Sequence, residues 1–290
     1  MRPALQIRVT WGNIPVFIQR WERGWMRKRE EEIIKVYKVP KLTNPSLVAA
    51  WPGIANVALT AASYVSDSLT AKEFAEVQSL SFFDLNGALI EKNVVQAPRF
   101  PESKFYYWKR NKAGGDLIFF IGEAQPVSRS YEFANKILDF AQKLGVTRVY
   151  TLAAAIVPQF SDKPRVWAAA TDDELLSDLE RYGLILKGNF YVAGMNGLLL
   201  SVAKEKNMKG ICLLGETPRY LSDIGNPIAS QSVVEVLTRL LDIEIDMTEL
   251  EQMVKEARQQ IDEAIRESRR QYIDQFTVPL WERPPEEEKG

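Results

Sequence analysis

The sequence predicts an α/β protein with three layers, a mostly parallel central sheet, an antiparallel hairpin insert and a long C-terminal helix. Three observations carry this. Residues 188–227 read as apolar run, glycine turn, helix, apolar run and polar loop, the order of one βαβ unit. Asp116–Ile121 and Ile211–Leu214 are apolar nearly throughout, as strands buried on both faces are. From Thr248 to about Gln275 the chain is highly charged, with apolar residues Leu250, Val254, Ala257, Ile261 and Ala264 at alternating steps of four and three.

In chain order, residues 1–32 read as a basic and aromatic leader. Residues 1–41 carry ten Lys/Arg against four Asp/Glu, and Gln19–Arg29 interleaves Trp21 and Trp25 with Arg20, Arg23, Arg27, Lys28 and Arg29. Aromatics among cations suit a nucleic-acid or acidic-partner arm. No basic fold surrounds the stretch, which favours a loosely ordered leader. Met26-Arg27-Lys28-Arg29 before three glutamates also resembles an ordinary start, an alternative that intact mass distinguishes.

Ile33–Val39 alternates like an edge strand, closed by Pro40 and the turn residues Thr43–Ser46. Leu47–Trp51 is a buried strand. Pro52–Ala58 turns into a helix, Val57–Leu69, kept thin by Ala58, Ala61, Ala62 and Ser63. Gly53 and Asn56 could aim amides at an anion, but one glycine is not a phosphate loop, so crossover packing is the stronger reading. Phe74–Val77 is a strand, and Phe82–Ile90 folds as a hairpin about Asn86-Gly87. Phe105–Lys109 pairs with it, making residues 72–110 an antiparallel insert. Tyr131–Leu144 is an amphipathic helix stopped by Gly145. Val146–Ala153 and Val166–Ala170 are strands. Thr171-Asp172-Asp173-Glu174 reads as a capping box, Thr171 to Glu174, rather than a metal cluster. That helix runs to Tyr182 and Gly183. Ile228–Leu241 is a further helix, and Thr248–Glu251 a second capping box. Residues 277–290, with three prolines and four acids, form a disordered tail. The divisions are therefore 1–32, 33–245, 246–276 and 277–290.

Composition excludes several chemistries. The 290 residues are 46% hydrophobic and 26% charged, with net charge −1, so no bulk field draws the chain to nucleic acid. There is no histidine, which removes histidine triads, imidazole metal ligands and histidine acid–base work. The lone Cys212 reads as a small buried hydrophobe and fits a reducing, cytoplasmic compartment. No apolar run reaches the roughly 20 residues that span a bilayer. No cofactor or metal site is expected.

Three glycine-bearing exits are expected on one rim of the sheet: Gly122–Pro126, Gly194–Gly197 and Gly215–Tyr220. The candidate ligand- or partner-binding residues are Gly53, Asn56, Glu123, Gln125, Gly194, Asn196, Gly215, Glu216, Thr217 and Tyr220. Glu123 and Glu216 could face each other as an acid–base pair. No nucleophile or phosphate cradle accompanies them, and structural roles in the loops are the stronger reading.

With these motifs in hand, the chain resembles the proteasome assembly chaperone 2 family. The resemblance runs over residues 33–265 and rests on Trp51–Val57, Gly122–Pro126, Ala170–Asp172, Gly194–Gly197 and Ile211–Tyr220. It implies a fold like that of nucleoside phosphorylases, without an established enzymatic activity. It implies self-association and, in eukaryotic and archaeal relatives, docking onto proteasome α subunits. Many relatives carry glycine where this chain has Ala58. The final Glu286–Gly290 lacks the hydrophobic-Tyr-X tail used for docking, which argues against docking by that route. The expected function is a non-enzymatic, homo-oligomeric scaffold for a protein client. The alternative is a binding protein or enzyme for a nucleoside- or carboxylate-type small molecule. A concave pocket holding both glutamates would favour the alternative, and a flat apolar patch the scaffold.

Overall fold

The computed structural model describes residues 7–11, 14–18 and 33–277, apart from Asn86 and Lys112. The basic stretch 19–29, Met26 and residues 278–290 lie outside the described residues. β1 (Ile7–Trp11) and β2 (Ile14–Ile18) form an antiparallel pair of their own. There follow β3 (Ile34–Val36), β4 (Ser46–Ala50), α1 (Val57–Ser68), β5 (Lys72–Val77), β6 (Ile90–Glu91), β7 (Val94–Val95), β8 (Ser103–Trp108) and β9 (Leu117–Gly122). Next come α2 (Ser130–Lys143), β10 (Arg148–Val157), β11 (Val166–Ala170), α3 (Asp173–Leu179), α4 (Gly194–Glu205), β12 (Lys209–Pro218), α5 (Pro227–Leu241) and α6 (Thr248–Thr277).

Eight strands form one sheet in the order β11-β12-β10-β4-β9-β8-β5-β3. The four central strands β12, β10, β4 and β9 are mutually parallel, and antiparallel strands flank them on both sides. Side chains of a strand alternate between its faces, so a central strand is apolar on both faces. In β4, Val48 and Ala50 enter one core while Leu47 and Ala49 enter the other. β9 divides likewise, Leu117 and Phe119 against Ile118 and Phe120. The first core is covered by α1, α5 and the start of α6, the second by α2 and α4. This is the three-layer α/β architecture the sequence predicts.

α1 lies close to the sheet because Ala58, Ala61 and Ala62 leave it no bulk. α2 buries Phe133, Ile137 and Ala141 at helical spacing. α6 buries Leu250 and Val254, and Tyr64 of α1 holds its start: the hydroxyl donates to Asp246 O at 2.8 Å and accepts Leu250 N–H at 3.3 Å.

Several expectations are corrected. Phe190–Ala193 is not a strand: Ile185 takes the ladder position beside β11, bonding Val166 O and Ala168 N, and the chain then leaves the sheet. Phe82–Ile90 is not a hairpin; Phe82 and Phe83 turn inward onto Phe133, with centroids 4.8 and 6.0 Å away. The hairpin lies just beyond, β6 to β7, where Lys92 and Asn93 both have positive φ, as a two-residue turn of this hand requires. β8 pairs with β5 and β9 instead of with that expected hairpin. Asp172, not Thr171, caps α3, accepting Leu175 N–H at 2.9 Å, while the Thr171 hydroxyl accepts Gly210 N–H. At α6 the Asp246 carboxylate accepts from Thr248 N–H and Oγ1, and Glu251 N–H goes to Met247 O. Gly215–Pro218 is not a loop: β12 stays paired with β10 as far as Val157↔Pro218.

Candidate functional site

β4 and β10 run side by side only through Ala49↔Thr151. β10 continues to Val157 against β12, but β4 hands on to α1 on one face of the sheet. The chain leaving β9 and the chain entering α4 serve the opposite face. Neighbours that diverge in this way leave a crevice at the carboxyl ends of the strands, the place where open α/β sheets hold ligands. Here it is a cavity of about 430 Å³. Ala153–Ile156 of β10 and Leu214 of β12 line one side, and Gly53, Ile54 and Ala58 another. Trp167 and Phe190–Ala193 bring aromatic and aliphatic surface, and Gln125, Gly194 and Asn196 bring the polar groups.

Side-chain amides knit the crevice together. Gln125 donates from Nε2 to Pro52 O at 2.6 Å and accepts Met195 N–H on Oε1 at 2.8 Å. Buried Asn196 accepts Trp51 N–H at 3.2 Å and donates to Trp51 O at 3.5 Å. It thus takes both main-chain groups of Trp51, as a neighbouring strand would, just where β4 ends. Gly194 has φ +73°, and a Cβ there would collide with Gln125 Oε1. Ala55 and Asn56 both have φ +50°, an uncommon pair outside glycine. Ala55 N–H donates to Ser222 O at 2.7 Å, and Ala55 O accepts Asn226 N–H at 2.9 Å.

Of the sequence-derived candidates, Gly53, Gln125, Gly194 and Asn196 meet at this crevice. The others do not. Asn56 starts α1 with no side-chain cap bond. Gly215 lies inside β12, where a Cβ would come within 2.8 Å of Ala229 O; its role is the close approach of α5. Thr217 is buried and accepts from Asn226 Nδ2 at 3.3 Å. Tyr220 is exposed beyond β12.

Glu123 and Glu216 do not face each other. β9 and β12 are three places apart in the sheet, roughly 14 Å at ordinary strand spacing. Glu123 pairs with Arg99 at 2.8 Å and accepts Glu102 N–H at 2.9 Å. Glu216 accepts from Arg165 Nη2 at 2.9 Å, Trp167 Nε1 at 3.0 Å and Arg165 N–H at 3.2 Å. Burial alone would raise the Glu216 carboxyl. The hydrogen bonds from Arg165 and Trp167, with the Arg165 charge, outweigh it and hold the group below the usual range. Burial pushes the Cys212 thiol up to about 11.

Among the described residues, the cavity lining contains no Asp, Glu, Lys, Arg or Cys. Its chemistry is recognition by amides and apolar surface. Among the described residues no group of three or more Cys, Asp and Glu could hold a metal, and no helix is long and apolar enough to cross a membrane. Sequence reasoning missed Trp167, Phe190–Ala193 and Ala153–Ile156. One signal was present: three successive alanines, Ala153–Ala155, are too small to fill a central strand's surroundings and mark adjacent space.

Comparison with known proteins agrees with this architecture. The model of the PAC2 family matches residues 47–265. The chain is similar to the crystal structure of PbaB of Pyrococcus furiosus, an archaeal proteasome activator, with 34% identity and a TM-score of 0.70, covering 80% of this chain and 97% of PbaB. It is also similar to Pyrococcus furiosus PbaA, an archaeal homolog of proteasome-assembly chaperone, with 26% identity and a TM-score of 0.61 over 84% and 97% of the two chains. The uncharacterized protein MJ1210 of Methanocaldococcus jannaschii is 28% identical over 257 residues, 88% of this chain and 94% of that protein.

Proposed function

This chain belongs to the PAC2 family, and from that premise we propose that it is a non-enzymatic, oligomeric protein-binding factor that serves the proteasome. The observation that carries this is the 34% identity with a proteasome activator over 97% of that protein's length. The surface supports it. Ile54, Ile156, Tyr191, Tyr220 and Ile224 are exposed, and all lie at or beyond the carboxyl ends of central strands or before α4. Large apolar side chains gathered on one rim suit a protein partner. The reading places the protein in the cytoplasm, for which the lone buried Cys212 speaks. Acid–base catalysis by Glu123 and Glu216 has no support, since each is held by its own arginine.

The test is co-elution of the purified full chain with the 20S core particle of the same organism, with light scattering of each peak. An oligomer that co-elutes, and loses the core particle on Tyr191→Glu or Tyr220→Glu, is the expected result. A monomer at micromolar concentration that elutes apart from the core particle would sink the proposal.

A further inference from the structure

The crevice between β4 and β10 has an unused recognition edge. Past Thr151, β10 has lost β4 but keeps β12. From Ala153 to Val157, the N–H and C=O of every second residue therefore point toward the side β4 has vacated, where no other strand among the described residues pairs with them. Ala153, Ala154 and Ala155 keep the approach to that edge clear. Opposite stand Gln125 and Asn196, each with a second amide hydrogen beyond the bond it already makes. Trp167 and Phe190, edge to face with centroids 5.9 Å apart, supply a flat apolar wall.

We propose that this crevice binds a neutral, largely apolar small molecule carrying one amide-like donor–acceptor edge. The volume of about 430 Å³ is that of a small-molecule site, and mostly apolar lining with a few placed polar groups is the usual pattern. The charge state follows from the lining. With no ionised side chain among the described lining residues, a carboxylate, phosphate or ammonium group would lose its water and gain no counter-charge. A neutral amide, lactam or carboxamide replaces the water it loses with hydrogen bonds to the free strand edge. Its ring or hydrocarbon body lies against Trp167, Phe190 and Ile54. The inference is independent of the proteasome reading: co-elution with the core particle can fail without affecting it, and the converse holds.

Calorimetric titration with 1-naphthamide tests it, with 1-naphthoate and N,N-dimethyl-1-naphthamide as matched probes that lose neutrality or the N–H donor. The expected result is saturable one-to-one binding of 1-naphthamide, at least about tenfold tighter than either matched probe, the factor a buried hydrogen bond supplies. Ala155→Phe and Ile156→Trp, which fill the crevice from β10, should each weaken it by at least about tenfold. Ile156 is 43% exposed and outside the buried core, so its replacement leaves the core intact if the alanine variant does not fold. Val127→Phe, at a fully exposed site outside the cavity, should bind as the native protein does. Absence of saturable binding overturns the proposal. So does equal affinity for 1-naphthoate, or undiminished binding by a folded filling variant.

Discussion

Replacing Asn196 tests whether its carboxamide really closes the end of β4. The side chain is 4% exposed and is the partner of both Trp51 N–H and Trp51 O. Asn196→Leu keeps the volume but strands both main-chain groups in a dry site. An unmet buried group costs about 1–3 kcal/mol. The 3.5 Å bond to the carbonyl is at the limit of useful geometry and counts for less, so the sum is about 2–4 kcal/mol. For a domain of this size that lowers Tm by roughly 5–15 °C. Asn196→Asp separates the two bonds. Its carboxylate can still accept Trp51 N–H but cannot donate to Trp51 O, and burial raises its pKa. A raised folded pKa gives stability that is present below the unfolded value of about 3.9 and lost as pH rises through the folded value. The deficit of Asn196→Asp against the native protein should therefore widen from about pH 4 to about pH 7. Urea unfolding across that range, with calorimetric Tm at each pH, reads both effects. Native-like stability of Asn196→Leu, or a pH-independent deficit for Asn196→Asp, would refute the account of Asn196 as the cap of β4.

Gly194→Ala forces φ +73° on a residue with a Cβ aimed at Gln125 Oε1; a loss of about 1–3 kcal/mol is expected in urea unfolding. Gly122→Ala places a Cβ within 2.5 Å of the Trp51 ring, and overpacking of this kind should cost about 1–3 kcal/mol and shift the tryptophan emission. The depressed pKa of Glu216 means its contribution is present above the usual glutamate range and lost as pH falls through its folded value. Glu216→Gln should accordingly be less stable than the native protein at about pH 7, and the gap should close as pH falls through the folded value of Glu216, read by urea unfolding at each pH. Cys212, wholly buried with its thiol raised to about 11, should resist a disulfide exchange reagent at about pH 8 until the chain is unfolded.

The layers were legible because they are built from periodicity. Val57–Ser68 and Ser130–Lys143 show where a helix lies, and Val166–Ala170 where a strand lies, almost to the residue. The error at Phe190–Ala193 has a plain cause: apolar character reports burial or an exposed patch without saying which. Phe190–Ala193 has the composition of a buried strand, yet Tyr191 is 90% exposed and the segment crosses the rim. Gly215 looks like punctuation, but it is a strand residue that lets α5 close on β12. Gly197 is similar: a Cβ there would meet the Val192 carbonyl, so the glycine admits the crossing segment onto α4. At Gly215 the glycine marks contact between well-separated parts of the chain, which no local pattern contains.

The crevice was half legible for a related reason. Its glycine-marked exits are local features, and Gly53 and Gly194 stood out as such. Its existence depends on β4 stopping several residues before β10, and length differences between neighbours appear only once the strands are paired. What holds the gap open is equally non-local. Gln125 ties the chain after β9 to Pro52 and to Met195, Asn196 ties α4 to Trp51, and Ala55 ties the chain after β4 to Ser222 and Asn226. The chains leaving β4, β9 and β12 and the start of α4 are thus bonded to one another. The left-handed pair Ala55-Asn56, unfavourable by itself, persists because bonds on both sides of Ala55 fix it. A rim cross-linked in this manner does not need to be ordered by whatever binds there, so binding energy goes to affinity rather than to folding loops. That is the physical reason for assigning recognition to this edge of the sheet.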